Sequence, residues 1–567
     1  MIRLPGSLRR HARWLAPLSV LALIGFSIVC GAMGVDFGWH WDEHYHVEGV
    51  RDCVDGLALT PHRYIYGSLY FYLGLLVVFA HHVRFLPAFL LEMCRKEGYG
   101  IVDIATYDSV KRFQESAHVL LASNRYVLET RMVFFCVAAM AVFWVYLTVR
   151  RLYPGRYGGA LGAAAFVALS WEMHYHGRYI AIDAVVAQFM AAELYFLGSA
   201  WTAPRLSSFL GHYAAATLVA GVLFTCKATG LVALLPVLLL PAVLPRTGLP
   251  ADVLLLGSAR RRLGLAALAL LLWGATVLVL QPDTAVDFLR YAATLRREGW
   301  EYNFFNAANP NIILSLGDRI LRCSTWLLLV VPSHYPLGAG LFCGILLLGG
   351  FHFVRARPRL SILGGVVVLV MLTTMFSHPL FFARQYLMLI PFMAVAFGVG
   401  LMALHDRIAA RRPWAWASIL VATAVIFVLN ARWLYVSALG IRHQTPDGPM
   451  NDLAADLLRH PEPMRLSPAV FSAISGRLAT RYQCHPPTPT RGARLPVAIL
   501  ANEGVNHTNR LGLSRRLYAA RWINFDWYPP WGAGSGPMPL YVLSPKQVRE
   551  QAIDAAPFEV CEPAKPR

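Results

Sequence analysis

Long, almost uncharged apolar runs recur along this chain and constrain its fold more than any other feature. About 20 apolar residues are enough to cross the hydrocarbon core of a bilayer as one helix. Of the 567 residues, 57% are hydrophobic and 15% are charged, whereas roughly a quarter are charged in soluble proteins. This composition excludes a disordered chain, a fibrous repeat and a single soluble domain. The net charge of +19 does not indicate a nucleic-acid partner, because the apolar runs are too long and too many.

The runs predict an all-α polytopic membrane protein with about eleven transmembrane helices. An uncharged run from Leu15 to Val35 follows a basic N-terminus and has no clean A-x-A cleavage site. It therefore predicts a retained first span with a cytoplasmic N-terminus. The further spans are predicted near 132–149, 157–172, 184–203, 207–226, 228–245, 263–281, 336–354, 360–376, 386–404 and 414–432.

Residues 64–83 are also uncharged and long enough to cross, but the distribution of arginines argues against a crossing. If they do not cross, the arginine-rich loops around 150–156 and 407–412 face the cytoplasm. If they cross, these arginine-rich loops face the outside, contrary to the positive-inside rule. We therefore predict that 64–83 lies in or dips into the external leaflet, and we interpret 323–335 in the same way.

The chain is predicted to divide into a membrane module, residues 1–435, and an extracytoplasmic C-terminal domain, residues 436–567. Two long external loops, 36–130 and 282–322, belong to the membrane module.

The C-terminal domain is predicted to be a small α/β unit. PVAIL at 496–500 and PLYVL at 539–543 resemble short strands, and 450–460 resembles a helix. If this region lies outside the cytoplasm, Cys484 and Cys561 could form one disulfide.

Adjacent carboxylates directly after the first span are the strongest chemical signal. Asp42 and Glu43 are followed by His44 and Tyr45. A carboxylate beside an apolar wall has a raised proton affinity and can act as a general base. The alternative is a solvated, charged loop after a helix.

A second polar cluster fills a short loop between two predicted spans. It contains His174, His176 and Arg178, and Asp183 begins the next span. Ionisable groups near a bilayer are costly and are therefore candidates for function. The alternative is an Arg178–Asp183 pair that anchors a helix end, although a spacing of five puts the two about 140° apart on an ideal helix.

Two cations stand at further external helix junctions. Lys227 lies between two apolar runs, and Arg384 comes two residues before Tyr386. Either cation alone could extend to lipid headgroups instead. Together, the four regions place carboxylates and cations on one membrane face. This suits a reaction in which cations hold a leaving phosphate and a carboxylate takes a proton from a nucleophile.

In their order and membrane side, these motifs resemble the GT-C superfamily of integral-membrane glycosyltransferases, near the protein O-mannosyltransferase and lipid A aminoarabinose transferase branch. The matching pieces, within about residues 15–435, are Asp42-Glu43-x-Tyr45, Pro61 with Tyr64 and Tyr66, Arg131, Arg150-Arg151, Arg178-x4-Asp183, Thr225-x-Lys227 and Arg384-x-Tyr386-x4-Pro391. The chain departs from the family's double proline at Pro61-His62, and an insertion at about 91–127 leaves the acceptor open.

The resemblance implies an inverting transfer from a polyprenyl-phosphate-linked sugar to a hydroxyl acceptor outside the cytoplasmic (inner) membrane. The acceptor would be an envelope lipid, glycan or protein. By position, Asp42 matches the family's catalytic base, and Lys227 and Arg384 match residues near the donor phosphate. The full set expected to bind substrate or organise the site is Glu43, His44, Tyr45, His174, His176, Arg178, Asp183, Lys227, Arg384 and Tyr386.

No cofactor is predicted with certainty, and a divalent metal stays open as an alternative. The candidate donors are His40, Asp42, Glu43, His44, His46, His174 and His176. We expect these histidines to bind substrate hydroxyls or to line a polar cavity. Inside the fourth predicted span, Gln188 and Glu193 are expected to satisfy each other or a neighbouring helix.

Two other classes of protein are compatible with the spans. A transporter or lipid flippase would explain buried charges, but not their gathering on one face rather than at the bilayer midplane. A non-catalytic subunit of an envelope complex would use the membrane module only to present residues 436–567.

Overall fold

The structure is a computed structural model, and it describes most of the membrane-rich part of the chain and portions of the C-terminal region. The described residues are 6–33, 35, 41–59, 63, 66–85, 87, 104–245, 258–282, 284, 287–297, 315–333, 335–378, 383–441, 448–467, 470–471, 478–479, 481–485, 495–500, 516–517, 540–543, 545–550 and 559–564.

The described residues of the first half of the chain form helices joined by turns. Its helices are α1 (Gly6–Ala32), α2 (Trp41–Gly56), α3 (Ser68–His81), α4 (Ile104–Leu121), α5 (Asn124–Ala139), α6 (Ala141–Leu152), α7 (Tyr157–Ala168), α8 (Trp171–Gly177), α9 (Asp183–Trp201), α10 (Leu206–Cys226), α11 (Leu234–Val243) and α12 (Ala259–Leu280). One short 3-10 helix, Val83–Phe85, follows α3, and another, Ala228–Ala233, precedes α11.

The second half continues as helices up to the C-terminal region. These are α13 (Phe288–Arg297), α14 (Leu316–Thr325), α15 (Pro336–Ala356), α16 (Pro358–Ser377), α17 (Ile390–Leu404), α18 (Pro413–Ile441) and α19 (Gly448–Arg459). A 3-10 helix, Ala383–Leu389, leads into α17, and two π-helical turns, Trp326–Val330 and His405–Ala409, follow α14 and α17.

Within the described residues, nine helical segments are long and apolar enough to cross a membrane. They coincide with nine of the predicted spans, and the prediction of a multi-pass helical membrane protein is confirmed. The spans α9 and Arg384–Ala409 are the most enclosed, with 72% of their apolar windows buried, against 17% for α12 and for Pro413–Tyr435. The centre of the bundle is therefore built around α9 and α17.

The two remaining predicted spans, 157–172 and 228–245, contain shorter apolar helices, Tyr157–Ala168 and Ala228–Val243. Small residues in α7 bring it close to a neighbouring helix: a Cβ on Gly159 would lie 2.7 Å from the carbonyl oxygen of Gly398 in α17.

Helix α3 covers most of the segment predicted to lie in the outer leaflet. It has 14 residues, a rise of about 21 Å, which is too short for a straight crossing of about 30 Å. The backbone N–H of Gly67 just before it donates to the carbonyl oxygen of Cys226 at 3.3 Å, which ties this segment to the end of α10.

The C-terminal region contains a six-stranded mixed sheet with the order β2-β6-β1-β3-β5-β4. Its strands are β1 (Met464–Leu466), β2 (Tyr482–His485), β3 (Val497–Leu500), β4 (Arg516–Leu517), β5 (Leu540–Leu543) and β6 (Glu559–Pro563), and a short helix α20 (Pro545–Glu550) follows β5. Only the β1–β3 pair is parallel among the described strands.

This sheet confirms the predicted strands at 496–500 and 539–543 and the helix at 450–460. Cys484 and Cys561 stand opposite each other in the β2–β6 pair and form a disulfide, as the sequence suggested. Helix α19 packs on the sheet through Leu453 and Leu457, which share a separate apolar core with Met464 and Leu466.

Close backbone approach between α15 and α17 generates a first prediction. A Cβ on Gly349 would lie 1.8 Å from the carbonyl oxygen of Ala396, whereas nothing lies within 4 Å of a Cβ on the neighbouring Gly350. We expect Gly349→Ala to lower the melting temperature, because overpacking costs about 1–3 kcal/mol. Gly350→Ala should leave it unchanged or raise it, because alanine favours a helix by about 1 kcal/mol. Thermal unfolding of the purified protein measures both, and equal effects would contradict this packing.

Candidate functional site

Three helix ends that are distant in sequence meet at Asp183. Asp183 begins α9, Lys227 is the C-cap of α10, and Arg384 lies in the 3-10 helix before α17. The Lys227 Nζ donates to Asp183 Oδ1 at 2.6 Å. The Arg384 Nε lies 3.8 Å from Asp183 Oδ2, the distance of an ion pair rather than a hydrogen bond.

Local electrostatics favour this arrangement. A carboxylate in the first turn of α9 and a cation at the end of α10 each complement a helix dipole. The side chains of Asp183, Lys227 and Arg384 are only 4%, 16% and 8% exposed. Because an unpaired charge at such a position is costly, the two cations and the carboxylate hold one another in place. Neither Lys227 nor Arg384 behaves as an isolated cation that extends to lipid headgroups.

The segment that leads into Asp183 is fixed by a buried ion pair. Arg131, on α5, donates from Nε and Nη2 to the two carboxylate oxygens of Glu43 at 2.7 and 2.5 Å, and both side chains are at most 2% exposed. Glu43 Oε1 also accepts from the backbone N–H of Ile180 at 3.1 Å. The hydroxyl of Tyr70 donates to the carbonyl oxygen of Ile180 at 3.1 Å. Helices α2, α3 and α5 therefore position residue 180, three residues before Asp183.

Helix α8 carries the other predicted histidines in a buried setting. His176 Nδ1 is hydrogen-bonded to the hydroxyl of Tyr179, and its Nε2 lies 3.2 Å from Glu172 Oε2. His174 Nε2 is 2.9 Å from the carbonyl oxygen of Ala168. Burial lowers the pKa of His174 to about 3, so this ring is neutral at pH 7 and donates to the carbonyl.

Arg178 does not pair with Asp183. Its three guanidinium nitrogens are buried without a hydrogen-bond partner, and the acid instead contacts Lys227 and Arg384. The alternative of an Arg178–Asp183 helix anchor is therefore excluded.

Of the remaining predicted site residues, Tyr45 and Tyr386 have described side chains. Tyr45 is half-buried and packs edge-on against Tyr66, with ring centroids 5.7 Å apart. Tyr386, two residues after Arg384, is buried in the apolar core. Asp42 and His44 belong to α2, but their side chains lie outside the described residues.

The expectation that Gln188 and Glu193 satisfy each other is wrong. Both carboxylate oxygens of Glu193 and the side-chain oxygen of Gln188 are buried without a hydrogen-bond partner. The spacing of five places them about 140° apart around α9, so they do not share a face of the helix, and no neighbouring helix satisfies these oxygens either.

The described residues contain no group of three or more histidines, cysteines and acids that could hold a metal ion. His46 packs instead among aromatic rings, with Nε2 3.3 Å from the hydroxyl of Tyr126. His40 and the side chains of Asp42 and His44 lie outside the described residues, so the metal alternative is untested there.

Sequence reasoning did not assign a partner to Arg131 or any role to Glu172 and Tyr179. The signals were present: Arg131 is a charge at the start of an apolar run, and Glu172 and His176 are four residues apart, on one face of a helix. What sequence could not supply was the contact of Arg131 with Glu43, across 88 positions.

Comparisons with known proteins were made for the whole chain. No protein-family model matches it, and a search of curated proteins found no match. Among solved structures, it is similar to ArnT from Cupriavidus metallidurans bound to undecaprenyl phosphate. That similarity has 15% identity and a TM-score of 0.41, and it covers 82% of this chain and 74% of that one.

The chain is also similar to the Archaeoglobus fulgidus oligosaccharyltransferase. The complex with zinc and sulfate gives 14% identity and a TM-score of 0.42 over 78% of this chain. AglB from the same organism, with an inhibitory peptide and a dolichol-phosphate, gives 13% identity and a TM-score of 0.42 over 81%. The chain spans 56% and 59% of these two proteins.

The Glu43–Arg131 pair generates a second prediction, with a matched control on the same helix. Arg131→Met leaves a buried carboxylate without its cation, which costs about 3–5 kcal/mol, so we expect a large fall in melting temperature. Arg125→Met removes a cation that is 68% exposed from its pair with Glu129, and exposed pairs contribute about 0–1 kcal/mol. Comparable melting temperatures for the two variants would show that the buried pair does not hold the fold.

Proposed function

We propose that this protein is an inverting glycosyltransferase that takes a sugar from a polyprenyl-phosphate donor and passes it to a hydroxyl acceptor of the cell envelope. The observation that carries the proposal is the convergence of Lys227 and Arg384 on Asp183 at the ends of three helices. The motif resemblance supplies the reaction class, and the charges supply the chemistry.

The charge balance of the three residues suits a leaving phosphate. The formal charges of Lys227, Arg384 and Asp183 themselves sum to one positive charge. A polyprenyl-phosphate sugar is a phosphodiester with one negative charge, and its phosphate gains a second as the bond to the sugar breaks. Fixed cations in a weakly solvated site stabilise developing charge more than water does. Lys227 and Arg384 would therefore favour the transition state over the bound donor.

Asp42 is the proposed general base, and the structure supports its placement through its neighbour. Glu43 anchors the first turn of α2 to Arg131 and to the backbone of Ile180. Ile180 lies in the segment that ends at Asp183, so the backbone of residue 42 is tied to the same end of the bundle. In this proposal Glu43 organises the site and Asp42 faces the acceptor.

The reaction is a single displacement. The acceptor hydroxyl oxygen attacks the anomeric carbon, and its proton passes to the Asp42 carboxylate. The bond between the anomeric carbon and the phosphate oxygen breaks on the opposite face, and both bonding electrons stay with the phosphate. Polyprenyl phosphate leaves beside Lys227 and Arg384, and the anomeric configuration is inverted.

The site is proposed to face away from the cytoplasm in a cytoplasmic membrane. This orientation rests on the arginine-rich loops, which the positive-inside rule assigns to the cytoplasm. The disulfide between Cys484 and Cys561 supports it, because disulfides persist in oxidising compartments.

The test is reconstitution of the purified full chain in liposomes with polyprenyl-phosphate sugars and an extract of envelope lipids and glycans. Transfer of labelled sugar to an extract component supports the proposal. Movement of the labelled lipid across the bilayer without transfer would support a flippase instead. Mass spectrometry of envelope glycans and lipid-linked sugars from a deletion strain identifies the sugar and acceptor to use, because the donor should accumulate as the product disappears.

A third prediction concerns the base. Asp42→Asn should lower the transfer rate by about 10²–10⁴-fold, the usual contribution of general base catalysis, while melting temperature and donor binding stay near wild type. Asp52→Asn is the matched control on the same helix, because Asp52 makes a part-exposed ion pair with Arg63. Unchanged turnover in Asp42→Asn would remove Asp42 from the mechanism.

A fourth prediction concerns the donor phosphate. Lys227→Gln should weaken the binding of undecaprenyl phosphate by about 10–100-fold, because a hydrogen bond to a charged group contributes about 1.5–3 kcal/mol. Lys227→Arg should recover part of the affinity, and the exposed Lys111 provides the control Lys111→Gln. Microscale thermophoresis in detergent measures the affinities. Equal affinity of wild type and Lys227→Gln would place the phosphate elsewhere.

A further inference from the structure

Arg178 is a buried cation that the protein itself does not satisfy. Its side chain is 1% exposed, and none of its nitrogens Nε, Nη1 and Nη2 has a hydrogen-bond partner. Arginine remains charged, and although burial lowers the pKa of this guanidinium to about 10, it is still protonated at neutral pH. An uncompensated buried charge destabilises a fold by several kcal/mol.

The contrast with Arg131 shows that this is a property of the Arg178 position. Arg131 is equally buried, yet its guanidinium donates to both oxygens of Glu43 and to the carbonyl oxygen of Val35 at 2.6 Å. The same bundle therefore provides one arginine with a complete set of acceptors and leaves the other without any. That the protein keeps the free-energy cost of an unpaired buried charge at one position indicates that a ligand supplies the missing partner during function.

The surroundings of Arg178 are aromatic. Its guanidinium carbon lies 5.9 Å from the centroid of the Trp171 ring, and Trp171 stacks on Tyr175 with centroids 5.5 Å apart and an interplanar angle of 21°. Trp171 also meets Trp433 of α18 edge-on, with centroids 6.4 Å apart. Aromatic walls with a few polar groups aimed inward are typical of ligand sites, and an arginine fork matches phosphate and carboxylate oxygens.

Arg178 does not belong to the group that holds the donor cations. Lys227 and Arg384 contact Asp183, whereas no side-chain nitrogen of Arg178 has a hydrogen-bond partner. Burial raises the pKa of the Tyr175 phenol, and the charges that act on this pKa come from Glu172, Arg384 and Arg178. Both arginines therefore lie near Tyr175, and Arg384 is the one that Asp183 holds.

We propose that Arg178, with Trp171 and Tyr175, forms a second anion subsite that binds a phosphate or carboxylate group of the acceptor. This inference rests on the proposed function, in which Lys227 and Arg384 take the donor phosphate. The acceptor is then an envelope lipid or glycan that carries a negative charge beside its reacting hydroxyl. A neutral acceptor would leave the guanidinium unpaired in the complex as well.

The experiment measures thermal unfolding of the purified full chain with two phosphate probes, inorganic phosphate and undecaprenyl phosphate. The variants are Arg178→Met, which removes the charge and keeps the bulk, Arg178→Lys, which keeps the charge, and Lys227→Gln at the donor position. Without added anion, Arg178→Met should melt at a higher temperature than wild type, because it removes an uncompensated charge. Saturating inorganic phosphate should raise the wild-type melting temperature by about 2 °C or more, and this rise should be absent in Arg178→Met and partly present in Arg178→Lys.

Lys227→Gln should keep the shift with inorganic phosphate and lose the shift with undecaprenyl phosphate. A further arm compares nanodiscs of phosphatidylglycerol with nanodiscs of phosphatidylcholine. If phosphatidylglycerol raises the melting temperature and the rise depends on Arg178, the anionic group is carried by a lipid. If only inorganic phosphate gives such a rise, the group is carried by a glycan or a soluble molecule.

Three results would overturn the proposal. The first is a melting temperature for Arg178→Met below that of wild type, and the second is no rise in the wild-type melting temperature with either phosphate probe. The third is loss of the rises with both probes in Arg178→Met and in Lys227→Gln alike, which would indicate one shared donor site. A different result would contradict the proposed function: wild type transfers no sugar, although the rise in melting temperature that depends on Arg178 is intact.

Discussion

The carboxylate of Asp183 joins segments that are 44 and about 200 positions away along the chain, and the arrangement at this end of the bundle depends on it. A charge in a weakly solvated environment must be paired, and a lysine and an arginine at neighbouring helix ends supply the pairing. Helices α9 and α10 and the 3-10 helix before α17 are thereby held at one point. In the proposed function, the same two cations that stabilise the helix ends would take the donor phosphate.

Two buried arginines near this point differ in whether the protein supplies hydrogen-bond partners for the guanidinium. Arg131 is matched by Glu43, and this pair fixes the backbone at Ile180. Arg178, two residues before Ile180, is unmatched by protein groups. The fixed backbone keeps Arg178 in place although its guanidinium has no hydrogen-bond partner. In the proposed acceptor subsite, this rigid support would hold the guanidinium in position before the ligand binds.

Much of the fold could be predicted from sequence because the bilayer imposes a simple rule on length and hydropathy. The rule identified the long helices, and strand patterns identified β3 and β5. The described helices in two of the predicted spans, α7 and 228–243, are shorter than 18 residues, and hydropathy does not predict where such helices end. The rule could not determine that the side-chain oxygens of Gln188 and Glu193 are buried without a hydrogen-bond partner, because this depends on how α9 is rotated against its neighbours. Side-chain partners follow from that rotation, and hydropathy carries no information about it.

The sequence by itself determined that this is a multi-pass helical membrane protein with a small C-terminal sheet, and it indicated that Asp183, Lys227 and Arg384 stand at the ends of apolar helices. These properties follow from local composition, since each helix must satisfy its backbone within its own segment. Only the tertiary structure decided that Lys227 and Arg384 meet at Asp183, that Glu43 is held by Arg131, and that Arg178 stands apart. Contacts between residues tens or hundreds of positions apart depend on how helices pack in three dimensions, and the energy of a buried charge depends on which partner that packing provides.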